Sequence, residues 1–591
     1  MRHFSYNQNV LIRTRITFLF LFNSILIGLK PSLTLASSAR FLNNDSRIEF
    51  LDKKQIKSQG QYPFAASWFL TNEKLKYSQK GERQYQFSSD CQIDKQNFHI
   101  PKDYVDFWQR CEKQLRLESS WAITHSLKTL MLKLQLMDNP WAEPVMFHLD
   151  GGQKVQGLLA MKPDSIPRPL VILRLGIFGS STEMQAERFL FMHLFEESPF
   201  HVLILESLSG ADASSHNKAP LIGGVVEGLQ HLEVARALMN SGNPLSSRIQ
   251  SLHLAGISLG GNGVLFAAEM QAVQNLKYFS SFIGYCPVVN LAETLAFHQG
   301  QRVSLAGMNW WASYRLKNWS NKIKFNPSEG FIDGLFENVE SSYKDWIKNT
   351  NQKFLKFPDG YHKDSYWSAQ QIKDYIPLVN SPFLVFATEK DPIVPFNLNA
   401  KIFENNSNIT LLKLKEGYHC TLPAAYDWYT MGQLTQNFIL NQSGDFGLTT
   451  KTQSFNISRE TSAFSKALNK SDWFLRFARS EGFIYIEVQP KENLSQKLAR
   501  KVIEFVWYKE ASLIFKIPIA DFFPYGINGL PTSSDKIADL DAFNRSVDES
   551  WQNEAGQNMW ERWLNHNISW EINDAGLTLS WPVATNPQNK R

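Results

Sequence analysis

The stretch that most constrains this chain is Gly256-Ile257-Ser258-Leu259-Gly260, because of what flanks it. Leu252-His253-Leu254-Ala255 precedes it as a short buried strand, and Val264-Leu265-Phe266-Ala267-Ala268-Glu269-Met270 follows it as a helical pattern. A G-x-S-x-G between strand and helix is a sharp turn. Its glycines let the two elements pack closely, and its serine is held at the tip with the hydroxyl exposed. The Leu259 N–H, at the start of the helix, then points toward charge that develops when Ser258 attacks a carbonyl. The alternative reading of the same pentapeptide is an ordinary Gly/Ser turn in a β-α unit.

A serine hydroxyl is a weak nucleophile until a base takes its proton, so Ser258 predicts a carboxylate and a histidine further on. Asp391 stands in Thr388-Glu389-Lys390-Asp391-Pro392-Ile393-Val394-Pro395, directly after the strand-like run Phe383 to Ala387. His419 stands in Glu416-Gly417-Tyr418-His419, after the run Thr410 to Leu414. A loop Asp is usually a turn former and a loop His usually a solvated side chain. The order Ser, Asp, His with both partners at strand ends singles these two out, and Glu389 is the rival acid. A second oxyanion donor is expected at the Ile177 N–H, in Gly176-Ile177-Phe178-Gly179-Ser180-Ser181 after the run Leu170 to Leu175.

The rest of the chain reads as alternating strands and helices around this site. A hairpin is expected from Pro144–Leu149 through Asp150-Gly151-Gly152 to Val155–Met161. Buried strands are expected at Pro169–Leu175, Val202–Leu205 and Phe282–Cys286, and helices over Ala186–Glu196 and Val225–Leu238. This alternation predicts an α/β fold with a mostly parallel sheet between helical layers, over residues 140–441. An aromatic-rich stretch at about 289–375 (Trp310, Trp311, Tyr314, Trp319, Trp346, Tyr361, Tyr366, Trp367) is read as a helical cap insertion. Residues 40–139 are read as a helical lead-in, with helical spacing over Asp103–Leu117 and Ser120–Leu136 and no sustained period before Asp90. Residues 442–462, rich in Ser and Thr, read as a linker, and 463–591 as a β-rich accessory domain of sandwich type ending in a hairpin at Asn573-Asp574-Ala575-Gly576.

At the amino terminus Arg2, Arg13 and Arg15 precede the apolar run Ile16–Leu29. Lys30-Pro31 and small residues around Ala36 and Ala39 follow it, so 1–39 is expected to be a signal peptide and the protein exported to the periplasm or beyond. An uncleaved anchor is the alternative, though the run is short for a bilayer span. In an oxidising compartment Cys91 and Cys111, close in sequence, are the expected disulfide, while Cys286 and Cys420 stay open. Sixty-one basic residues against 56 acidic ones leave a net charge of +5, with no basic block interleaved with aromatics, so no nucleic-acid partner is expected. No metal-ligand spacing appears and no cofactor is expected. The partner expected is a small-molecule or lipid ester, with the N-terminus and the C-terminal domain as two routes to a membrane or cell surface.

Taken together, Gly256–Asn262, the Gly176–Ser181 loop, Gly360-Tyr361 with Tyr366-Trp367-Ser368, and the Asp391 and His419 motifs resemble the α/β-hydrolase superfamily. Within it the chain is most similar to YheT-like esterases and related α/β-hydrolase-domain lipases. The resemblance covers residues 140 to 440. It implies an eight-stranded, mostly parallel sheet and cofactor-free ester hydrolysis. The expected function is that of an exported serine hydrolase working through an acyl-Ser258 intermediate. A peptidase, thioesterase or acyltransferase would use the same three residues, and a non-catalytic surface-binding protein would use the C-terminal domain instead.

Overall fold

The structure is a computed structural model. It describes residues 40–42, 45–52, 87–116, 141–162, 167–180, 190–196, 198–210, 213, 216–217, 222–299, 340–341, 343–345, 348, 365–417, 419–420 and 425–443. Toward the carboxy terminus it describes 448–455, 473–480, 483–490, 513–518, 568–573 and 576–584. The expected signal peptide, the Ser120–Leu136 helix, most of the cap insertion and the run Phe505–Tyr508 lie outside these residues.

A ten-stranded sheet organises the chain from Arg40 to Leu414. Its strands are β1 (Arg40–Leu42), β2 (Asp45–Phe50), β3 (Ala142–His148), β4 (Lys154–Ala160), β5 (Arg168–Arg174), β6 (His201–Leu205), β7 (Ile249–Ile257), β8 (Phe279–Tyr285), β9 (Phe383–Thr388) and β10 (Ile409–Leu414). They lie in the order β1-β2-β3-β4-β6-β5-β7-β8-β9-β10. The strands from β6 to β10 in that order pair in parallel. The β1 to β4 end is antiparallel, including the β4–β6 join. The chain returns from β4 to β5, crosses to β6 and back to β7. The loops after β5 and β7 therefore emerge side by side at the carboxyl edge, where ligands bind in open α/β sheets.

Strand β5 shows why the sheet needs cover on both faces. Leu170 and Ile172 are buried in one hydrophobic core, and Val171, Leu173 and Leu175 in the other. Helices α2 (Val225–Met239) and α3 (Leu259–Val273) lie against the first face, followed by α4 (Leu291–Gln299). Helices α1 (Pro101–Leu115) and α5 (Trp428–Asn441) cover the second. Helix α1 is clamped over the last strand: Trp108 Nε1 donates to the Lys413 carbonyl at 2.7 Å, and Tyr426 donates to Glu112 at 2.5 Å. The disulfide Cys91–Cys111 ties its preceding loop to the helix.

Three expectations change. The sheet has ten strands rather than eight, because residues read as part of a helical lead-in contribute β1 and β2. The alternation Ile48-Glu49-Phe50 is too short to register as a period, and pairing with β3 is what makes it a strand. The stretch 442–462 read as a linker contains β11 (Leu448–Phe455), whose threonines are β-branched and suit a strand. Tyr366, read as part of the insertion, is fully buried in the sheet-facing core with Tyr343 edge-on at 5.5 Å. Toward the carboxy terminus, β11, β15 (Ser569–Asn573) and β16 (Gly576–Ala584) form one three-stranded sheet, and β12 (Trp473–Ser480), β13 (Phe483–Pro490) and β14 (Leu513–Pro518) form another. Among the described residues no helix is long and apolar enough to cross a membrane.

Candidate active site

Ser258 sits between β7 and α3 with φ 54° and ψ −117°, a conformation that costs a non-glycine residue about 1–3 kcal/mol. Two flanking glycines make the turn feasible. A Cβ on Gly256 would lie 2.5 Å from the Gly260 carbonyl oxygen, and one on Gly260 would lie 2.5 Å from that of Leu175. Hydrogen bonds hold the tip: the Ser258 N–H donates to the Tyr285 carbonyl, and the Val288 N–H donates to the Ser258 carbonyl. The Asn262 amide bonds the Val288 carbonyl at 2.9 Å, tying α3 to the segment after β8.

His419 and Asp391 converge on this serine. The His419 ring reaches Ser258 Oγ at 2.8 Å through Nε2 and Asp391 Oδ2 at 2.8 Å through Nδ1. With the Nδ1 proton facing the carboxylate, the serine hydroxyl donates to Nε2. The Asp391 side chain is 1% exposed, and its other oxygen accepts the backbone N–H groups of Ile393 and Val394, each at 2.8 Å. Those bonds fix the carboxylate's orientation. Glu389, the rival acid, is exposed.

The two expected oxyanion donors lie on adjacent loops. Leu259 opens α3, so its N–H has no intrahelical acceptor. Gly176 abuts the serine, and a Cβ there would be 3.4 Å from Ser258 Cβ. Ile177 follows it, and among the described residues its N–H meets no acceptor.

Beneath this loop runs a buried polar chain that sequence reasoning did not find. The Arg174 guanidinium, at the end of β5, pairs with Glu227 of α2 at 2.9 Å, both side chains fully buried. Glu227 accepts the Leu208 N–H at 2.8 Å and the Ser207 hydroxyl at 3.4 Å. Ser207 Oγ and Ser209 Oγ lie 2.8 Å apart, and Ser209 Oγ accepts the N–H of Phe178, the residue after Ile177, at 2.8 Å. The visible signal was Arg174 itself, a charge closing an otherwise apolar strand.

Two thiols sit beside the imidazole. Cys286 is buried at the end of β8, and Cys420 Sγ lies 3.6 Å from His419 Nε2 and 3.8 Å from Nδ1. Burial pushes the Cys286 thiol pKa up. Of the five described non-glycine residues with positive φ, four (Phe178, Ser258, Cys286 and Cys420) belong to this site, so backbone strain is concentrated where the side chains meet.

The strand order, the crossovers and the strand-to-helix elbow define an α/β-hydrolase fold. No protein-family model and no curated protein matches the chain. Solved structures similar to it include Est1E from Butyrivibrio proteoclasticus, at 18% identity over 51% of this chain and 99% of that one, with a TM-score of 0.32. A Pyrococcus furiosus esterase is 13% identical over 50% of this chain and 91% of its own, at a TM-score of 0.30. Dipeptidyl peptidase 4 of Porphyromonas gingivalis is 15% identical over 55% and 38%, at 0.31.

Proposed function

We propose that this chain is a serine hydrolase that cleaves carboxylic esters. The observation that carries the reading is the single imidazole bridging Ser258 Oγ and Asp391 Oδ2 at 2.8 Å on each side. His419 takes the serine proton as Ser258 attacks the acyl carbonyl. Asp391 holds the imidazole tautomer and stabilises the imidazolium. The oxyanion of the tetrahedral intermediate is received by the N–H groups of Leu259 and Ile177, a stabilisation worth about 3–4 kcal/mol per donor in well-formed sites. His419 then returns the proton to the departing alcohol. A water activated by the same imidazole hydrolyses acyl-Ser258, and no cofactor enters the cycle.

Export completes the proposal. The charged and apolar pattern of residues 1–39 is that of a signal peptide, and the Cys91–Cys111 disulfide supports an oxidising destination. The substrate is then a small or lipid ester outside the cytoplasm.

The test is labelling of the chain from Ser37 onward with a fluorophosphonate probe, alongside Ser258→Ala and His419→Ala, followed by hydrolysis of chromogenic esters of increasing acyl length. Parent labelling that disappears in Ser258→Ala is expected, with turnover lowered by at least about a thousandfold in either variant. A folded parent that neither labels nor hydrolyses any ester overturns the reading.

A further inference from the structure

We propose that Cys286, Cys420 and His419 form a binding site for a soft, thiophilic divalent cation such as zinc or cadmium, and that its occupation excludes catalysis. The two sulfurs and a His419 ring nitrogen all lie within 4.8 Å of one another. Tetrahedral zinc with Zn–S near 2.3 Å and Zn–N near 2.0 Å needs ligand atoms roughly 3.5–3.8 Å apart. The Cys420 Sγ to His419 Nε2 distance is already 3.6 Å. Two sulfurs and one imidazole are the donor set that selects zinc and cadmium over magnesium or calcium, which prefer oxygen.

The triad and the cation compete for the same ring. Cys420 Sγ is almost equally far from both ring nitrogens, so neither nitrogen is aimed at it. Both nitrogens are engaged, Nδ1 by Asp391 and Nε2 by Ser258. For a nitrogen to face a cation held by the sulfurs, the ring must turn away from at least one of them. Metal binding therefore breaks the Ser258–His419–Asp391 chain at one end or the other. The exclusion of catalysis rests on the proposed serine-hydrolase function, whereas the cation site itself does not.

Thiolate absorption reports this site cleanly. The chain has four cysteines, and Cys91 and Cys111 are joined to each other, so Cys286 and Cys420 are the only thiols. The experiment titrates cadmium chloride into the full mature chain with the Cys91–Cys111 bridge intact, reading cadmium–thiolate charge-transfer absorption. In parallel, fluorophosphonate labelling is scored with and without cadmium within each variant. The parent is expected to develop the band and lose labelling about tenfold, with recovery on adding a chelator. Cys420→Ser, at a half-buried turn, is expected to weaken the band's affinity by at least about tenfold and retain labelling in cadmium. Cys286→Ser gives a second reading from the other thiol. Absence of the band in the parent, or an unchanged band in both variants, overturns the site. A band that saturates while labelling persists overturns the exclusion. A parent that forms the band but never labels, with or without cadmium, overturns the hydrolase reading and the exclusion that rests on it, and supports the cation site.

Discussion

Glu269 lies on α3, the helix that begins immediately after Ser258, and both of its carboxylate oxygens are buried without a hydrogen-bond partner among the described residues. Desolvation of the charged form raises its pKa from 4.5 to about 8. A carboxyl group with a raised folded-state pKa binds more protons folded than unfolded between those two values. Stability is therefore highest below about pH 4.5 for this group and is lost as pH rises toward 8. The whole span amounts to at most about 5 kcal/mol. Glu269→Gln is expected to raise the melting temperature at pH 8 and to flatten its decline between about pH 5 and pH 8, read by calorimetry across that range. A parallel shift at every pH would show that the carboxyl titrates no differently in the fold. At this scale the chain was partly legible. Ser258, Asp391 and His419 stood out because each carries a motif, whereas Glu269 looked like one polar residue in an apolar helix, and nothing local says that it faces the core.

At the scale of elements, the loop after β5 shows how a helix positions a backbone N–H that it never touches. The path runs from Arg174 through Glu227 of α2 to the serines after β6 and ends on Phe178, one residue beyond the expected oxyanion donor. Removing one partner of a buried ion pair typically costs about 3–5 kcal/mol, because the other charge is left uncompensated. Glu227→Gln is expected to lower the melting temperature and to slow fluorophosphonate labelling of Ser258 by about tenfold at temperatures where the variant remains folded. Labelling at the parental rate by a destabilised but folded variant would make the ion pair a matter of stability alone. Strands β3 to β10 were readable because each is either a hairpin arm or an apolar run. Strands β2 and β11 were not, since β2 offers only Ile48-Glu49-Phe50 as alternation, β11 is polar from Thr449 to Ser454, and their partners, β3 and β16, are distant in sequence.

For the whole molecule, the described residues ahead of β3 belong to the same sheet and cores as the Ser258 half. Strand β2 extends the sheet, and α1 packs across its far edge, with Asn441 of α5 bonding the Phe98 carbonyl and Tyr104. Strand β1 starts at Arg40, directly after the second expected cleavage position. If the proposed export holds, mass spectrometry of the protein outside the cytoplasm is expected to find a mature amino terminus at Ser37 or Arg40, and an intact Met1 there would favour the anchor. Whatever a local rule demands could be read from the residues in order. Only glycine permits the close approaches at Gly256 and Gly260, only a buried sheet makes continuous apolar runs advantageous, and a nucleophilic serine calls for an acid and a base after it in order. Tertiary structure alone decided the rest. Ser258 and His419 are 161 residues apart, and the fold brings their atoms to 2.8 Å. The same convergence sets Cys286 against Cys420 and Arg174 against Glu227, pairs that no local period encodes because their partners come from separate elements that meet only once the sheet has formed.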